Sequence, residues 1–235
     1  VIALPEDMLT DRVEVADAIR AEPAVTEPGQ RAMEELQRRL LTARRPVVLA
    51  GGSGWTAEGV ADLARFAEAF ALPVAVTFRR QMLFPADHPN YAGDLGIGPN
   101  PRLLQRVKDA DLVLQAGGRL SEMPSQSYTL LDIPGDGSRL IHVHPGTEEL
   151  NKVYRAGLGI VAAPSAFAAA AAALPRPNQV NWADAAKLAH DDYLAWSDPA
   201  PVRTAGAVQM AEVMQHLKEV LPADTVFCNG AGNYA

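Results

Sequence analysis

Short apolar runs alternate with amphipathic helical patterns along most of this chain, and this alternation constrains the fold more than any other feature. The run Pro46-Val47-Val48-Leu49-Ala50 is continuously apolar, which is typical of a parallel strand covered on both faces. Strand and helix patterns alternate about five times over residues 28–174. The alternation predicts βαβ units and hence an α/β fold: a doubly wound parallel sheet of about five or six strands with helices on both faces.

The predicted elements follow one another closely. Residues 85–96, with Pro85, Pro89, Gly93 and Gly96, are predicted to be irregular. Helices are predicted from Pro28, after residue 54, around residues 103–107 and from Ser165. The predicted strands are 46–50, 73–77, 111–115, 139–143 and 159–162.

Both ends of the chain resemble parts of neighbouring domains. Residues 1–22 begin with an apolar run that predicts the end of a strand, followed by a linker. Residues 23–175 form the predicted Rossmann-like domain, and the proline-interrupted residues 176–203 a linker between domains with one helical segment. Residues 204–235 predict a helix and a strand at 224–228, in which we interpret Cys228 as a buried packing residue. We therefore expect a piece of a longer polypeptide; the alternative is a complete protein with a processed start.

Composition excludes several functional classes. The formal net charge of −7, from 21 basic and 28 acidic residues, argues against a nucleic-acid groove. No apolar run reaches the roughly 18 residues that a membrane span requires, so no membrane association is expected. The single cysteine cannot form an internal disulfide, which favours a reducing, cytoplasmic setting.

A glycine-rich turn follows the first predicted strand of the central domain. Gly51, Gly52, Ser53 and Gly54 lie between this strand and a helix, where glycines let a ligand approach the backbone and the helix N-terminus favours an anion. The spacing departs from the dinucleotide fingerprint, and the next strand is followed by Thr77-Phe78-Arg79-Arg80 rather than by an acidic residue. The turn predicts either a nucleotide site or a tight strand-to-helix connection.

Two further groups could bind ligands. Gly117 and Arg119 follow another predicted strand, where an arginine can pair with a phosphate or a carboxylate; the alternative is a solvated surface arginine. His142 and His144 lie two residues apart on one strand and so share a face, but no third metal ligand is evident. We predict no metal site and no catalytic residue within the chain.

The ordered set of segments resembles the thiamine diphosphate enzymes of the acetolactate synthase group. Each segment is weakly specific alone, whereas their order along the whole chain is fairly specific. The segments are Val1-Ile2-Ala3-Leu4-Pro5-Glu6-Asp7, Arg45 to Gly52, Pro85 to Gly93 with Gly96, Ala110 to Leu114 with Gly117 and Arg119, Leu140 to Val143, and Asp224 to Val226 with Ala231-Gly232-Asn233.

The resemblance implies the central domain of a three-domain enzyme, preceded by the end of a pyrimidine-binding domain and followed by the start of a diphosphate-binding domain. It implies thiamine diphosphate and Mg²⁺, held outside this chain, and a homodimer or homotetramer. The implied reaction is decarboxylation of a 2-keto acid followed by carboligation, with this segment inactive alone. A related thiamine-dependent decarboxylase or lyase, or a stand-alone nucleotide-binding or structural module, remains an alternative.

The resemblance also bears on ligands of the central domain, which in this family holds FAD, holds ADP or holds neither. Residues 117–123 depart from the pattern of the FAD-holding synthases, and His144 replaces an acidic residue, so FAD is disfavoured. Gly232 and Asn233 match a turn that contacts the cofactor diphosphate; the alternative is a simple turn at the end of a strand.

Overall fold

The computed structural model describes residues 3–135 and 137–228, and at its centre lies one parallel sheet. The sheet has six strands in the order β3-β2-β1-β4-β5-β6, all paired in parallel. This confirms the predicted α/β class and doubly wound sheet. The strands are β1 (Pro46–Ala50), β2 (Val74–Thr77), β3 (Tyr91–Leu95), β4 (Leu112–Ala116), β5 (Leu140–His144) and β6 (Leu158–Val161).

Helices cover both faces of the sheet, because alternate residues of each strand point to opposite sides. Val48 and Ala50 pack in one apolar core with α1, α2 and α4, whereas Val47 and Leu49 pack in a second core with α3 and α5. Within the described residues, no helix combines the length and apolar character needed to cross a bilayer. The helices are α1 (Gln30–Thr42), α2 (Ala57–Ala69), α3 (Pro101–Asp109), α4 (Pro164–Ala172), α5 (Ala185–Ser197) and α6 (Met210–Val220).

Local side chains fix where two of these helices begin. The Thr56 hydroxyl accepts a hydrogen bond from the Gly59 amide at the start of α2. The Asn100 side chain accepts one from the Arg102 amide at the start of α3, whose first residue is Pro101. Each cap satisfies one amide in the first turn of its helix.

Strand β3 lies in the region that the sequence predicts to be irregular, so that prediction is wrong. Its pairing with β2 shifts register between Val74 and Ala75, and Gly93 in its middle has a φ of +110°. Gly93 therefore interrupts the apolar pattern by which a strand is recognised. Helix α5 covers this edge strand: the ring of Tyr193 meets that of Tyr91 edge-on, with 4.7 Å between their centroids.

The predicted strand at residues 224–228 does not form. These residues are exposed coil, and Cys228 is exposed rather than buried. Within the described residues no neighbouring strand pairs with this segment, and an isolated strand is not stable. At the other end Ala3 and Leu4 are exposed coil, while Val1 and Ile2 lie outside the described residues.

The segment between residues 176 and 203 packs on the sheet over much of its length. Trp182 is buried, and its indole Nε1 donates a hydrogen bond to the carbonyl oxygen of Phe70 over 3.0 Å. Asp192 on α5 forms ion pairs with Arg102 and Arg106 on α3 at 2.7 and 3.0 Å. The predicted helical segment is therefore joined to the helices that cover the sheet, and the three boundaries between the four predicted segments stay predictions.

Candidate functional site

A crevice opens where the order of the sheet reverses. The chain runs from β1 outward to β2 and β3, and then returns to place β4 on the other side of β1. Doubly wound sheets bind ligands outside the carboxyl ends of the strands at such a point. A cavity of about 380 Å³ lies there, lined by Gly52, Ser53, Thr77, Phe78, Arg80, Gly117, Gly118, Arg119, Leu120, Ser121, Met123, Pro124, His144 and Pro145.

The glycines of the first turn allow two loops to pack tightly against each other. A Cβ on Gly52 would lie 1.9 Å from the carbonyl oxygen of Gly117, and Gly52 has a φ of +75°. A Cβ on Gly117 would lie 2.7 Å from the carbonyl oxygen of Gly51, and one on Gly51 would lie 2.3 Å from Thr77 Oγ1. Contacts within the protein therefore explain why these three positions are glycines, without a ligand. This agrees with the alternative that the turn is a tight strand-to-helix connection.

The N-terminus of α2 is capped from within the protein. Ser165, the second residue of α4, accepts a hydrogen bond from the Thr56 amide over 2.8 Å and donates one to the Gly54 carbonyl over 3.2 Å. Together with the Thr56–Gly59 cap, this contact satisfies amides at the position where a dinucleotide fold presents them to a phosphate. A phosphate in the crevice would therefore depend on side chains.

Two arginines supply the charge of the crevice. Arg80 follows β2, and its Nη2 donates a hydrogen bond to Ser53 Oγ over 3.1 Å, so the β1 loop holds its guanidinium in place. Arg119 follows β4 and is exposed at the mouth of the crevice. No carboxylate occurs among the described residues that line the cavity, although the whole chain is acidic. The crevice is thus suited to an anion.

The two histidines of β5 have different surroundings. His142 is buried, its Nε2 donates to the Gly118 carbonyl over 2.8 Å, and burial lowers its pKa, so the ring is neutral at pH 7. His144 lines the crevice, and its Nδ1 accepts a hydrogen bond from the Gly146 amide over 3.0 Å. Their ring centroids are 6.1 Å apart, and within residues 3–135 and 137–228 no three potential metal ligands come together.

Gln115 lies beneath the crevice on β4, beside His142 in the sheet register. It is 1% exposed, and neither its Nε2 nor its Oε1 has a hydrogen-bond partner in the part of the chain that the structure describes. A Cβ on Gly118 would lie 2.6 Å from this Nε2, so the amide packs directly under the loop that carries Arg119. Burying an amide without hydrogen-bond partners costs free energy. The Gln115 amide also makes the floor of the crevice polar.

The structure brings together part of the predicted site. Gly52, Ser53, Gly117 and Arg119 line one cavity, whereas Gly51 and Gly54 do not line it. Gly232 and Asn233 lie outside the described residues, so their predicted contact with a cofactor stays a prediction.

Arg80 and Ser121 were not predicted from the sequence as ligand-binding residues, and His144 was weighed only as a metal ligand and as a departure from the FAD-holding pattern. Each follows or ends a strand of the parallel sheet, and the carboxyl ends of such strands meet at one edge. That position in the chain is the signal that could have identified them.

Comparisons with known proteins identify relatives of this chain. The sulfoacetaldehyde acetyltransferase of Rhodobacter capsulatus is 25% identical over 99% of this chain and 43% of its own length. The large subunit of acetolactate synthase isozyme 2 of Escherichia coli is 26% identical over 86% of this chain and 35% of its own length. The chain thus spans less than half of these curated relatives.

Solved structures show the same fold. The benzoylformate decarboxylase of Polynucleobacter necessarius superposes on 76% of this chain and 33% of its own, with a TM-score of 0.54 and 22% identity. A thiamin diphosphate-dependent enzyme from Mycobacterium smegmatis covers 69% of this chain and 31% of its own, with a TM-score of 0.53 and 22% identity. The family description "Thiamine pyrophosphate enzyme, central domain" matches residues 33–171, more than half of the chain. The chain therefore belongs to the thiamine pyrophosphate enzymes and contains their central domain.

Proposed function

We propose that the full-length protein is a thiamine diphosphate-dependent enzyme that decarboxylates a 2-keto acid and joins the resulting fragment to an acceptor. The observation that supports this most is the family match at residues 33–171, together with an alignment to one curated relative that runs over 99% of the chain. Thiamine diphosphate, when bound, supplies the electron sink for such chemistry. We place this cofactor and its Mg²⁺ in the flanking domains and expect the 235-residue chain alone to be inactive.

In this proposal the chain contributes a rigid central sheet and a crevice for an anionic ligand. Arg80 with Ser53 fits one phosphate group and Arg119 fits another, and the cavity has the size of a small-molecule site. A nucleotide such as ADP is the ligand class that we assign to the crevice, with FAD disfavoured by residues 117–123 and His144. The residues fit its phosphates better than its ribose, because no described carboxylate lines the cavity to accept hydrogen bonds from ribose hydroxyls.

A second candidate activity is acetyl transfer from sulfoacetaldehyde to an acceptor, in which the C–S bond breaks and sulfite leaves. It is favoured because sulfoacetaldehyde acetyltransferases of four organisms align with this chain at 25–29% identity, and because one of these alignments covers nearly the whole chain. Both activities would use the same family cofactor. They differ in the substrate, which the flanking domains would help to select.

The proposal is tested on the full-length protein, purified and supplied with thiamine diphosphate and Mg²⁺. Consumption of pyruvate with formation of acetolactate would support the synthase-like activity, whereas consumption of sulfoacetaldehyde would support the second candidate. Samples without thiamine diphosphate, and the 235-residue chain alone, are the controls and should be inactive. A full-length protein that binds no thiamine diphosphate by calorimetry would contradict both candidates.

We also propose a cytoplasmic homodimer or homotetramer, without nucleic-acid or membrane partners. Light scattering on the full-length protein measures the subunit number directly. A monomer that turns over substrate would exclude the oligomer but leave the activity in place.

A further inference from the structure

The two crevice arginines lie at separate positions along the sheet edge. Arg80 follows β2 and Arg119 follows β4, and these two strands flank β1. Two strand spacings amount to about 9.5 Å between their backbones. The strands that precede the two arginines therefore leave room for a ligand with two separated anionic groups, one at each arginine.

The end of β2 has a defined role in doubly wound folds that bind nucleotides. An acidic residue near this strand end accepts hydrogen bonds from the ribose hydroxyls, whereas an arginine there accommodates a phosphate carried by the ribose. In this chain β2 ends at Thr77 and is followed by Phe78, Arg79 and Arg80. Arg80 lines the cavity, whereas Arg79 does not. The hydrogen bond from Arg80 to Ser53 directs its side chain toward β1.

The surface between the two arginines is suited to the uncharged part of a nucleotide. Phe78, Leu120, Met123 and Pro145 line the cavity and offer apolar contact, while Thr77 and Ser121 add hydroxyls. His144, at the end of β5, adds a ring nitrogen to this lining. The lining therefore combines two positive groups with an apolar surface, which is the complement of a base and sugar bearing two phosphates.

We propose that the crevice binds a nucleotide that carries a phosphate on its ribose in addition to its 5′-phosphate. The ribose phosphate pairs with Arg80 at the end of β2, and the 5′-phosphate pairs with Arg119 at the end of β4. This inference rests on the proposed assignment of a nucleotide to the crevice and specifies its class. The ribose phosphate could stand on the 2′ or the 3′ oxygen, and both forms present the same charge to Arg80.

The test is calorimetric titration of the full-length protein with adenosine 2′,5′-bisphosphate, adenosine 3′,5′-bisphosphate, ADP, FAD and inorganic phosphate. We expect at least one bisphosphate to bind about tenfold or more tightly than ADP, because an arginine–phosphate pair is a charge-assisted hydrogen bond. The isomer that binds more tightly identifies the position of the ribose phosphate. Equal affinities for ADP and both bisphosphates would overturn the inference while leaving the nucleotide assignment intact.

Three substitutions separate the two phosphate positions. Arg80→Gln should remove the preference for a bisphosphate over ADP. Arg119→Gln should lower the affinity for the bisphosphate and for ADP alike, by about tenfold or more. Arg79→Gln is the matched control, since Arg79 lies over the Phe78 ring, 5.0 Å from its centroid, and does not line the cavity. An equal loss in Arg79→Gln and Arg80→Gln would show a general charge effect and contradict the inference.

The outcomes separate this inference from the proposed function. Absence of binding by every adenine nucleotide, in a protein that turns over its keto acid, would reject the nucleotide assignment and the inference but leave the enzyme activity. Binding of a bisphosphate by a protein without thiamine chemistry would support the inference and reject the activity.

Discussion

At the scale of single residues, the contact between Gly52 and Gly117 is the tightest feature of the crevice. A methyl group on Gly52 would lie 1.9 Å from the Gly117 carbonyl oxygen, on a backbone with a φ of +75°. We predict that Gly52→Ala lowers the free energy of unfolding by roughly 2–4 kcal/mol, because it adds a clash with backbone atoms to the strain of left-handed backbone. Urea unfolding followed by circular dichroism measures this loss.

The matched control at this scale is Gly54→Ala. Gly54 also has a positive φ, of +87°, but a Cβ there would meet only the Pro164 ring, whose Cδ lies at an ordinary 3.6 Å. This variant should lose about 1–2 kcal/mol, from backbone strain alone. Equal losses in the two variants would show that the contact between the loops contributes nothing beyond backbone conformation.

The residues of the crevice could be predicted only in part. A glycine run after a strand indicates a close approach, but the sequence cannot tell whether a ligand or another loop approaches. The approaching loop lies about 65 residues further along the chain, and only the order of strands in the sheet brings Gly117 beside Gly52. Arg80 differs, because it lies just after a predicted strand, and this local signal could have identified it.

At the scale of elements, the segment that leads into α5 is held to the sheet by Trp182. Its side chain is 4% exposed, and its indole donates a hydrogen bond to Phe70, at the C-terminal end of α2. We predict that Trp182→Ala lowers the free energy of unfolding by about 3–5 kcal/mol, through the lost burial and the cavity left behind. Thermal unfolding of the variant and the parent chain checks this value.

Trp196 provides the comparison within the same segment. It lies near the end of α5 and is 55% exposed, so Trp196→Ala should change stability by no more than about 1 kcal/mol. A large loss in Trp196→Ala, or a negligible one in Trp182→Ala, would contradict the packing of this segment on the sheet.

Strands could be predicted from the sequence where one short apolar run defines them. The run at Pro46–Ala50 and the strands β4 and β5 appear as apolar runs, because both faces of each strand are covered. Strand β3 does not, since Gly93 and Asp94 interrupt it and α5, distant in sequence, provides its cover. The segment 224–228 has the pattern of a strand but no neighbour to pair with among the described residues. A local sequence pattern therefore cannot show whether a strand has a neighbour to pair with.

At the scale of the whole molecule, the buried residues are confined to the middle of the chain. Residues 3–27 are exposed throughout, and none of the residues 198–228 is buried. Apolar side chains lie unprotected in both parts, including Ile19 at 98% exposure and Val226 at 81%. The chain thus consists of one packed body around the sheet and two end segments that add little to its stability.

This distribution predicts the course of limited proteolysis on the 235-residue chain. Trypsin should first cleave after Arg12, Arg20 and Arg203, because these bonds lie in exposed segments outside helices, and should leave a resistant fragment of residues 21–203. Intact mass spectrometry over a time course identifies the fragment.

Arg155, in coil between β5 and β6, is the informative internal site. Its amide donates a hydrogen bond to the Pro134 carbonyl, which ties that coil to the body. Cleavage after Arg155 as fast as at the two ends would show that this hydrogen bond does not protect the coil between β5 and β6, whereas protection there with rapid loss of both ends would support one packed body around the sheet.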